Sequence, residues 1–98
     1  LIQQAGSAFT LTLPAVSTSA GIVYDIVATA ANDYIISENA ADSNVLSMVS
    51  VNSSNTERDH AFTTATLSSG AIGDKCHIIC DGTFWYITYT ANAAVNAA

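Results

Sequence analysis

Hydrophobic and polar residues alternate with a period of two along most of the chain, which is the pattern of half-buried β-strands. In the segment "AFTLTLP", Phe9, Leu11 and Leu13 fall on one face, and Pro14 ends the run because proline cannot donate to a strand ladder. Further runs rich in β-branched and aromatic residues follow at "IVYDIVATA", "YIIS", "VLSMVSV", "HAFTTATL", "KCHIIC" and "TFWYITYT". No segment carries a sustained helical stripe, so the pattern predicts an all-β chain.

Turn residues separate these runs, which recur roughly every 10–14 residues. This spacing predicts one domain, a small antiparallel β-sandwich or jelly-roll-like fold of about seven strands. Residues 1–8 are predicted to be an N-terminal arm and residues 9–90 the β-sandwich domain. Residues 91–98 are predicted to be an Ala/Asn-rich C-terminal tail, either a short helical turn or a frayed end. The polar segments "ENAADSN" and "NSSNTERD" are predicted to be loops.

The segment "KCHIICDGTFWYITYT" predicts the best-defined hairpin. Asp81-Gly82 between two apolar runs signals a type I′ turn, because both central residues of that turn need a positive φ. With these two residues at the tip, one face of the hairpin is a core face, formed by Cys76, Ile78, Cys80, Trp85 and Ile87. The candidate subunit-interface residues on the other face are His77, Ile79, Phe84 and Tyr86. That face is also largely apolar, so we expect it to be covered by another part of the chain or by a neighbouring subunit.

The two cysteines are too far apart to bridge each other on an intact strand. Cys76 and Cys80 are four positions apart, which places their Cα atoms ~13 Å from each other, whereas a disulfide needs less than ~7 Å. Cys76 and His77 point to opposite faces and so cannot share a metal ion. We predict buried thiols, with an intersubunit disulfide and a metal site as the alternatives. Buried thiols indicate assembly in a reducing compartment such as a cytoplasm.

Charge and composition narrow the classes of partner. The formal net charge is −6 and the chain has only two Lys and Arg residues, which argues against binding to nucleic acid or to anionic lipid. No apolar run approaches the ~20 residues of a membrane helix. Charged residues make up only 10% of the chain. Such a surface suits a protein that contacts other proteins over much of its area; a low-charge secreted protein is the alternative. The chain begins at Leu1 rather than Met, so we expect processing, cutting or omission upstream of it.

Catalytic and metal-binding motifs contribute little to the interpretation. The sequence has no nucleophile elbow, P-loop, zinc-protease helix or EF-hand loop. Asp59 and His60 are interpreted as part of a solvated loop. The acidic residues around one predicted loop are Asp33, Glu38 and Asp42, interpreted as solvated carboxylates or as a weak calcium site. Trp85 and Tyr86 face opposite ways and cannot form one sugar platform. We therefore predict neither catalysis nor a cofactor.

The order of two segments resembles a known class of protein. "FTLTLPAVSTSAGIVYDIVATA" followed by "GDKCHIICDGTFWYI" is similar to small virion modules of tailed phages. The matching positions are Leu13, Pro14, Gly21, Tyr24, Ile26, Gly73, Asp74, Cys80, Asp81, Gly82, Trp85 and Tyr86. Such modules occur in capsid decoration (cement) proteins and in tail-fibre domains. The resemblance spans about residues 9–90 and implies a β-sandwich or jelly roll that trimerises.

The resemblance implies a homotrimer on the outer capsid surface of a virion, assembled in the host cytoplasm, that contacts the major capsid protein and stabilises the shell. A free-standing chain of 98 residues favours this role over a tail fibre. The candidate capsid-docking arm, which would add as a strand or remain disordered, is Leu1, Ile2, Gln3 and Gln4. The first alternative is a tail-fibre or receptor-binding module for host carbohydrate. The second is a small secreted enzyme or a calcium-dependent lectin.

Overall fold

The computed structural model describes residues 2–3, 9–27, 34–51, 56–67, 74–90 and 95–97. In chain order the strands are β1 (Ile2–Gln3), β2 (Phe9–Thr12), β3 (Val23–Val27), β4 (Tyr34–Ser37), β5 (Leu46–Val51), β6 (Thr56–Phe62), β7 (Thr64–Leu67), β8 (Lys75–Cys80), β9 (Trp85–Thr90) and β10 (Val95–Ala97). One turn of 3₁₀-helix, Val16–Thr18, is the helical element among these residues.

Two sheets pack against each other, which confirms the predicted all-β sandwich. The larger sheet has the strand order β1-β3-β8-β9-β5-β6, and the smaller sheet has the order β10-β7-β4-β2. The described strands number ten rather than about seven. One reason is that the predicted strand "HAFTTATL" is two strands, β6 and β7, which separate at Thr63 and belong to different sheets. The others are the short strands β1 and β10, which lie in the predicted arm and tail.

The sheets are mixed rather than wholly antiparallel. Strands β1 and β3, β2 and β4, and β5 and β9 pair in parallel, while the remaining neighbours are antiparallel. Strand β10 pairs with β7, so residues 95–97 of the tail are neither a helical turn nor a frayed end. The second half of the predicted "NSSNTERD" loop is also a strand, because β6 begins at Thr56. Period-two alternation identifies strands but does not specify their neighbours, so these pairings were not predictable from the pattern.

The core lies between the inner faces of the two sheets. The larger sheet supplies Ile26, Leu46, Met48, Phe62, Cys76, Ile78, Cys80, Trp85, Ile87 and Tyr89, and the smaller sheet supplies Ile36, Ala65 and Leu67. All five predicted core-face residues of the hairpin are among them. Trp85 is the largest fully buried side chain, and its indole N–H donates to the Pro14 carbonyl at 3.1 Å. That bond satisfies the one polar group that Trp85 takes into the core.

The hairpin between β8 and β9 has a four-residue loop, so the predicted two-residue turn at Asp81-Gly82 is wrong. Cys80 pairs with Trp85 and Ile78 with Ile87. The Asp81 carboxylate explains the longer loop, because its Oδ1 accepts backbone N–H bonds from Thr83 at 2.8 Å and Phe84 at 2.9 Å. The register moved by an even number of positions, so every side chain kept its predicted face.

Glycine is required at the next position of that loop. Gly82 has φ +95°, a conformation that side chains of L-residues rarely adopt. The backbone N–H of Gly82 also donates to Cys80 Sγ at 3.3 Å, which holds the loop against the end of the core. Asp81-Gly82 therefore correctly indicated a turn, but its length and its type I′ geometry were both wrong, because only Gly82 of the two residues has a positive φ.

Candidate binding face

The side of the larger sheet that points away from the smaller sheet is called the outer face here. Strands β8 and β9 alternate strictly between exposed and buried residues, so every second side chain lies on this face. The described outer-face residues are Val23, Asp25, Val27, Ser47, Val49, Arg58, His60, Lys75, His77, Ile79, Tyr86, Thr88 and Thr90. Within the described ranges three of its central apolar residues are more than a third exposed: Val23, Ile79 and Tyr86.

These three residues form one continuous apolar row across the sheet. Val23 pairs with Ile79 across β3 and β8, and Ile79 pairs with Tyr86 across β8 and β9. Their exposures are 45%, 39% and 40% in that order. The ring of Phe84 lies 6.1 Å from that of Tyr86 and extends the row at the hairpin end. Directly opposed side chains on neighbouring strands are close enough to present one surface to a partner.

A polar pair of residues lies in line with the apolar row on β5 and β6, the two strands beyond β9. Ser47 of β5 pairs with Tyr86, and His60 of β6 pairs with Ser47. The Ser47 hydroxyl and His60 Nδ1 are 3.0 Å apart, and the His60 ring lies 4.7 Å from the Phe84 ring. His60 is therefore a member of β6 that packs against the aromatic row, rather than part of the solvated loop expected from the sequence.

The structure brings together the four predicted interface residues, with one change of position. Ile79 and Tyr86 are direct neighbours, as the shifted register requires. Phe84 lies in the hairpin loop, half-buried, instead of pairing with Ile79. His77 lies two residues before Ile79 on β8 and faces Asp25 on β3. Their role as a subunit interface stays a prediction.

His77 and Asp25 form an ion pair that the sequence did not indicate. His77 Nδ1 lies 2.6 Å from Asp25 Oδ1, with the two side chains 50% and 56% exposed. The residues are 52 positions apart, and only the pairing of β3 with β8 makes them neighbours. Val23 was missed as a member of the apolar row for the same reason.

A concavity of about 460 Å³ lies beside this ion pair. Its lining residues are Asp25, Ile26, Val27, Lys75, Cys76, His77, Thr88 and Thr90. They come from β3, β8 and β9, so the concavity lies over the middle of the larger sheet, toward the ends of β8 and β9 that are far from the hairpin loop. The sole lysine of the chain, Lys75, is part of its wall.

Positive charge is concentrated on the outer face. The two residues that make up the Lys and Arg content, Lys75 and Arg58, both lie there, and so do the two histidines. Asp25 is the one acidic residue on the described strand positions of this face, and the Asp81 carboxylate lies at its hairpin end. The carboxylates of Glu38, Asp42, Asp59 and Asp74 lie elsewhere. An acidic chain with a net charge of −6 therefore presents one face that is much less negative than the rest of its surface.

Asp81 and Tyr86 influence each other at the hairpin end of the face. The backbone N–H bonds from Phe84 and Thr83 lower the pKa of Asp81 below its usual 3.8, and a hydrogen bond with Tyr86 adds to the effect. Partial desolvation, the hydrogen bond to Asp81 and the charge of Asp81 raise the pKa of Tyr86 above 10.0. The Tyr86 hydroxyl therefore stays protonated over the whole neutral range and can donate a hydrogen bond to the carboxylate.

Two acidic residues of the suspected calcium loop have structural roles. Glu38 accepts backbone N–H bonds from Asn44 at 3.2 Å and from Val45 at 2.9 Å. Asp42 Oδ2 accepts the Val16 N–H at 3.1 Å and ties the loop to the 3₁₀ turn. These are charge-assisted bonds to orphan backbone donors. The third residue of that set, Asp33, lies outside the described residues.

The predicted docking arm is described at two of its four positions. Ile2 and Gln3 form β1, which pairs in parallel with Ile26 and Val27 of β3 in the same chain. Leu1 and Gln4 lie outside the described residues. Strand addition by this segment therefore occurs within the chain, and docking on a capsid protein stays a prediction.

Cys76 and Cys80 are buried thiols that are not joined to each other, in agreement with the distance argument. Across the described ranges, no three His, Cys, Asp or Glu side chains gather closely enough to hold a metal ion. The helical content of the same ranges includes no segment with the length and hydropathy of a membrane span. Comparison with models of protein families, with curated proteins and with solved structures gave no match.

Proposed function

We propose that the protein is a structural module that decorates and stabilises the outer surface of a phage capsid as a homotrimer, and that its outer face is the main contact surface. The observation that carries this proposal is the apolar row of Val23, Ile79 and Tyr86, exposed in the middle of a six-stranded sheet. The resemblance to virion modules supplies the class of assembly. The role needs neither catalysis nor a cofactor.

The composition of the row suits a protein contact. Contiguous apolar residues on the surface of a monomer mark interaction sites more often than scattered ones do. Tyr and Phe are enriched where interfaces are fully buried, and charged residues collect at the rim. Tyr86 and Phe84 contribute two aromatic rings to the row, while Arg58, Lys75 and His77 lie to its side. The outer face therefore has the apolar centre and the polar margin of an interface.

The distribution of charge favours a head-to-tail arrangement of copies. Two outer faces that met each other would bring Lys75 and Arg58 of one copy close to the same residues of the other. An outer face that meets the more acidic remainder of the next copy avoids this repulsion. Contacts between two different surfaces generate closed rings when the rotation permits. A trimeric ring satisfies that condition.

The experiment that tests this proposal is a measurement of native mass by sedimentation, for the protein alone and after mixing with expanded empty capsids of a tailed phage. We expect a trimer that co-sediments with the shells. Phe84→Glu should lower the trimer content strongly, because the charge would be desolvated at the contact. Lys75→Gln, on the same face but away from the row, is the matched control and should lower the trimer content far less than Phe84→Glu does.

Two results would contradict the proposal. A monomer that does not bind the shells would contradict both the trimer and the capsid partner. A Phe84→Glu protein that stays trimeric with an unchanged Tm shows that this part of the face is not the interface.

A second candidate function, carbohydrate binding by a tail-fibre or receptor-binding module, is favoured by one observation. Tyr86 is 40% exposed, and its hydroxyl is held by Asp81 at the end of the hairpin. An exposed ring with a fixed carboxylate beside it can stack on the C–H face of a sugar and accept bonds from its hydroxyls. Tyr86→Ala would then abolish binding to host glycans and leave the native mass unchanged, whereas the decoration role predicts a change of mass.

A further inference from the structure

The concavity beside the His77–Asp25 pair has a composition that neither candidate function uses. Its wall contains one cation, Lys75, in a chain of net charge −6. It also contains one imidazole, one carboxylate and two threonine hydroxyls, on Asp25, His77, Thr88 and Thr90. The volume of about 460 Å³ is within the range of small-molecule sites, which is roughly 300–1,000 Å³.

Asp25 fixes the orientation and the tautomer of His77. A carboxylate accepts hydrogen bonds, so Nδ1 at 2.6 Å from Oδ1 is the nitrogen that carries a proton. In the neutral imidazole Nε2 then has a lone pair, which accepts a bond from a hydroxyl group. Besides the contact at the surface, the His77–Asp25 pair therefore presents His77 Nε2 as a hydrogen-bond acceptor with a fixed orientation.

The next strand places two hydroxyls opposite the charged groups. Thr88 pairs directly with His77, and Thr90 pairs directly with Lys75. Both threonines are exposed on the outer face, and each hydroxyl can donate and accept. Among the described residues the structure gives neither of these hydroxyls a hydrogen bond. They are available to a bound molecule.

We propose that this concavity binds a hydroxylated carboxylic acid of monosaccharide size, such as a hexuronic acid. Lys75 would pair with the carboxylate. His77 Nε2, Thr88 and Thr90 would bond the hydroxyls, and Val27 offers an apolar contact for the C–H groups of the ring. The groups come from three adjacent strands in the middle of a six-stranded sheet, so the site is formed before the ligand arrives.

The charge balance selects this class over more highly charged anions. Lys75 is the only permanent cation in the lining, and the carboxylate of Asp25 opposes a second negative charge. Arg58 lies on β6, two strands beyond Thr88, which is about 10 Å at the usual spacing of ~4.8 Å between strands. A phosphate monoester, which carries close to two negative charges at neutral pH, would lack a second cation, whereas a single carboxylate has its partner.

The test is a titration of the isotopically labelled full chain with glucuronate, glucose and acetate at constant ionic strength, followed by NMR. We expect saturable shifts at the backbone of Lys75, His77 and Thr88 with glucuronate. Glucose should bind about tenfold more weakly, since it lacks the charge-assisted bond, and acetate should also bind about tenfold more weakly, since it lacks the hydroxyls. The apolar row lies near the hairpin loop and the concavity at the opposite ends of β8 and β9, so the titration probes a part of the outer face other than the row.

Variants separate the site from general electrostatic attraction. Lys75→Gln should weaken glucuronate about tenfold. Arg58→Gln removes the same charge from the same face outside the lining and should leave the affinity unchanged. The pair of substitutions Thr88→Val and Thr90→Val should weaken the binding of glucuronate and leave the binding of acetate unchanged.

Three outcomes would overturn the proposal. One is the absence of saturable shifts with glucuronate. Another is acetate binding as tightly as glucuronate, which would mean a simple point-charge contact. The third is an equal loss of glucuronate affinity in Arg58→Gln and Lys75→Gln, which would mean that the ligand is attracted to the outer face as a whole.

Discussion

Two serines are buried to the same degree, but they differ in hydrogen bonding. Ser19 and Ser50 are each 1% exposed. The Ser19 hydroxyl donates to the Ala15 carbonyl at 2.7 Å, within the segment that closes one end of the sandwich. The Ser50 hydroxyl, on the inner side of β5, has no partner among the described residues. A buried hydroxyl without a partner keeps its desolvation cost and gains nothing in return.

This difference predicts opposite effects for the same substitution. Ser50→Ala should leave the free energy of unfolding unchanged or raise it, because it removes an unsatisfied polar group. Ser19→Ala, the matched control, should lower it by about 1 kcal/mol through loss of one hydrogen bond. Denaturant unfolding of the three proteins measures both effects. A Ser50→Ala protein destabilised as much as Ser19→Ala would show that Ser50 has a partner in the folded chain.

At the scale of the element, the hairpin shows how far sequence patterns reach. Alternation assigned every side chain of β8 and β9 to the correct face. The loop length was wrong because the pattern treated Asp81 as a backbone turn residue, whereas its carboxylate bonds two N–H groups and lengthens the turn. The same loop moves Phe84 out of the strand and over His60. Side-chain bonding of this kind has no signature in a hydrophobic pattern.

The Asp81 carboxylate also predicts how the hairpin responds to acid. Its pKa is lowered in the folded chain, so the unfolded chain binds more protons and stability falls as pH falls. This contribution is fully present above the ordinary value of 3.8 and is lost as pH falls through the lower folded value. Asp81→Asn keeps the accepting oxygen and removes the charge. We therefore expect a smaller decrease of Tm below about pH 4 in this variant than in the wild type.

Asp81→Ala is the companion variant, because it removes the accepting oxygen as well as the charge. It should lower Tm at every pH and not only in acid. If Tm decreases by the same amount on acidification in Asp81→Asn and in the wild type, the loop carboxylate does not contribute to the acid sensitivity of the fold.

The outer face shows, on a larger scale, the same limit on what a sequence pattern can predict. Ile79 and Tyr86 were identified because they alternate with core residues of their own strands. Asp25 and Val23 were not, since their neighbours on the face come from β8, which is distant in sequence. The parallel contact of β5 with β9 also joins Tyr86 to Ser47 across almost 40 residues. Strand propensity is a local property, and the order of strands in a sheet depends on the packing of the whole chain.

In the whole molecule, the two sheets share one core, and both thiols lie inside it. Cys76 and Cys80 are 1% and 2% exposed, on the central strand pair of the larger sheet. Cys80 also accepts the Gly82 N–H, which connects the core to the hairpin loop. A reagent can reach these sulfurs only when the sandwich opens. The rate of thiol labelling therefore measures how cooperatively the two sheets separate.

We expect both thiols to be labelled slowly and at the same rate in the native protein, with a rate that rises with urea as steeply as global unfolding does. The physical reason is that neither sulfur can be exposed without separating the sheets, so opening is the unfolding of the whole core. Ala40→Cys, in an exposed turn, is the control and should be labelled at once. Faster labelling of Cys80 than of Cys76 would contradict a single cooperative unit. It would mean that the hairpin end opens alone, and the apolar row beside it would then belong to a segment that can separate from the rest of the outer face.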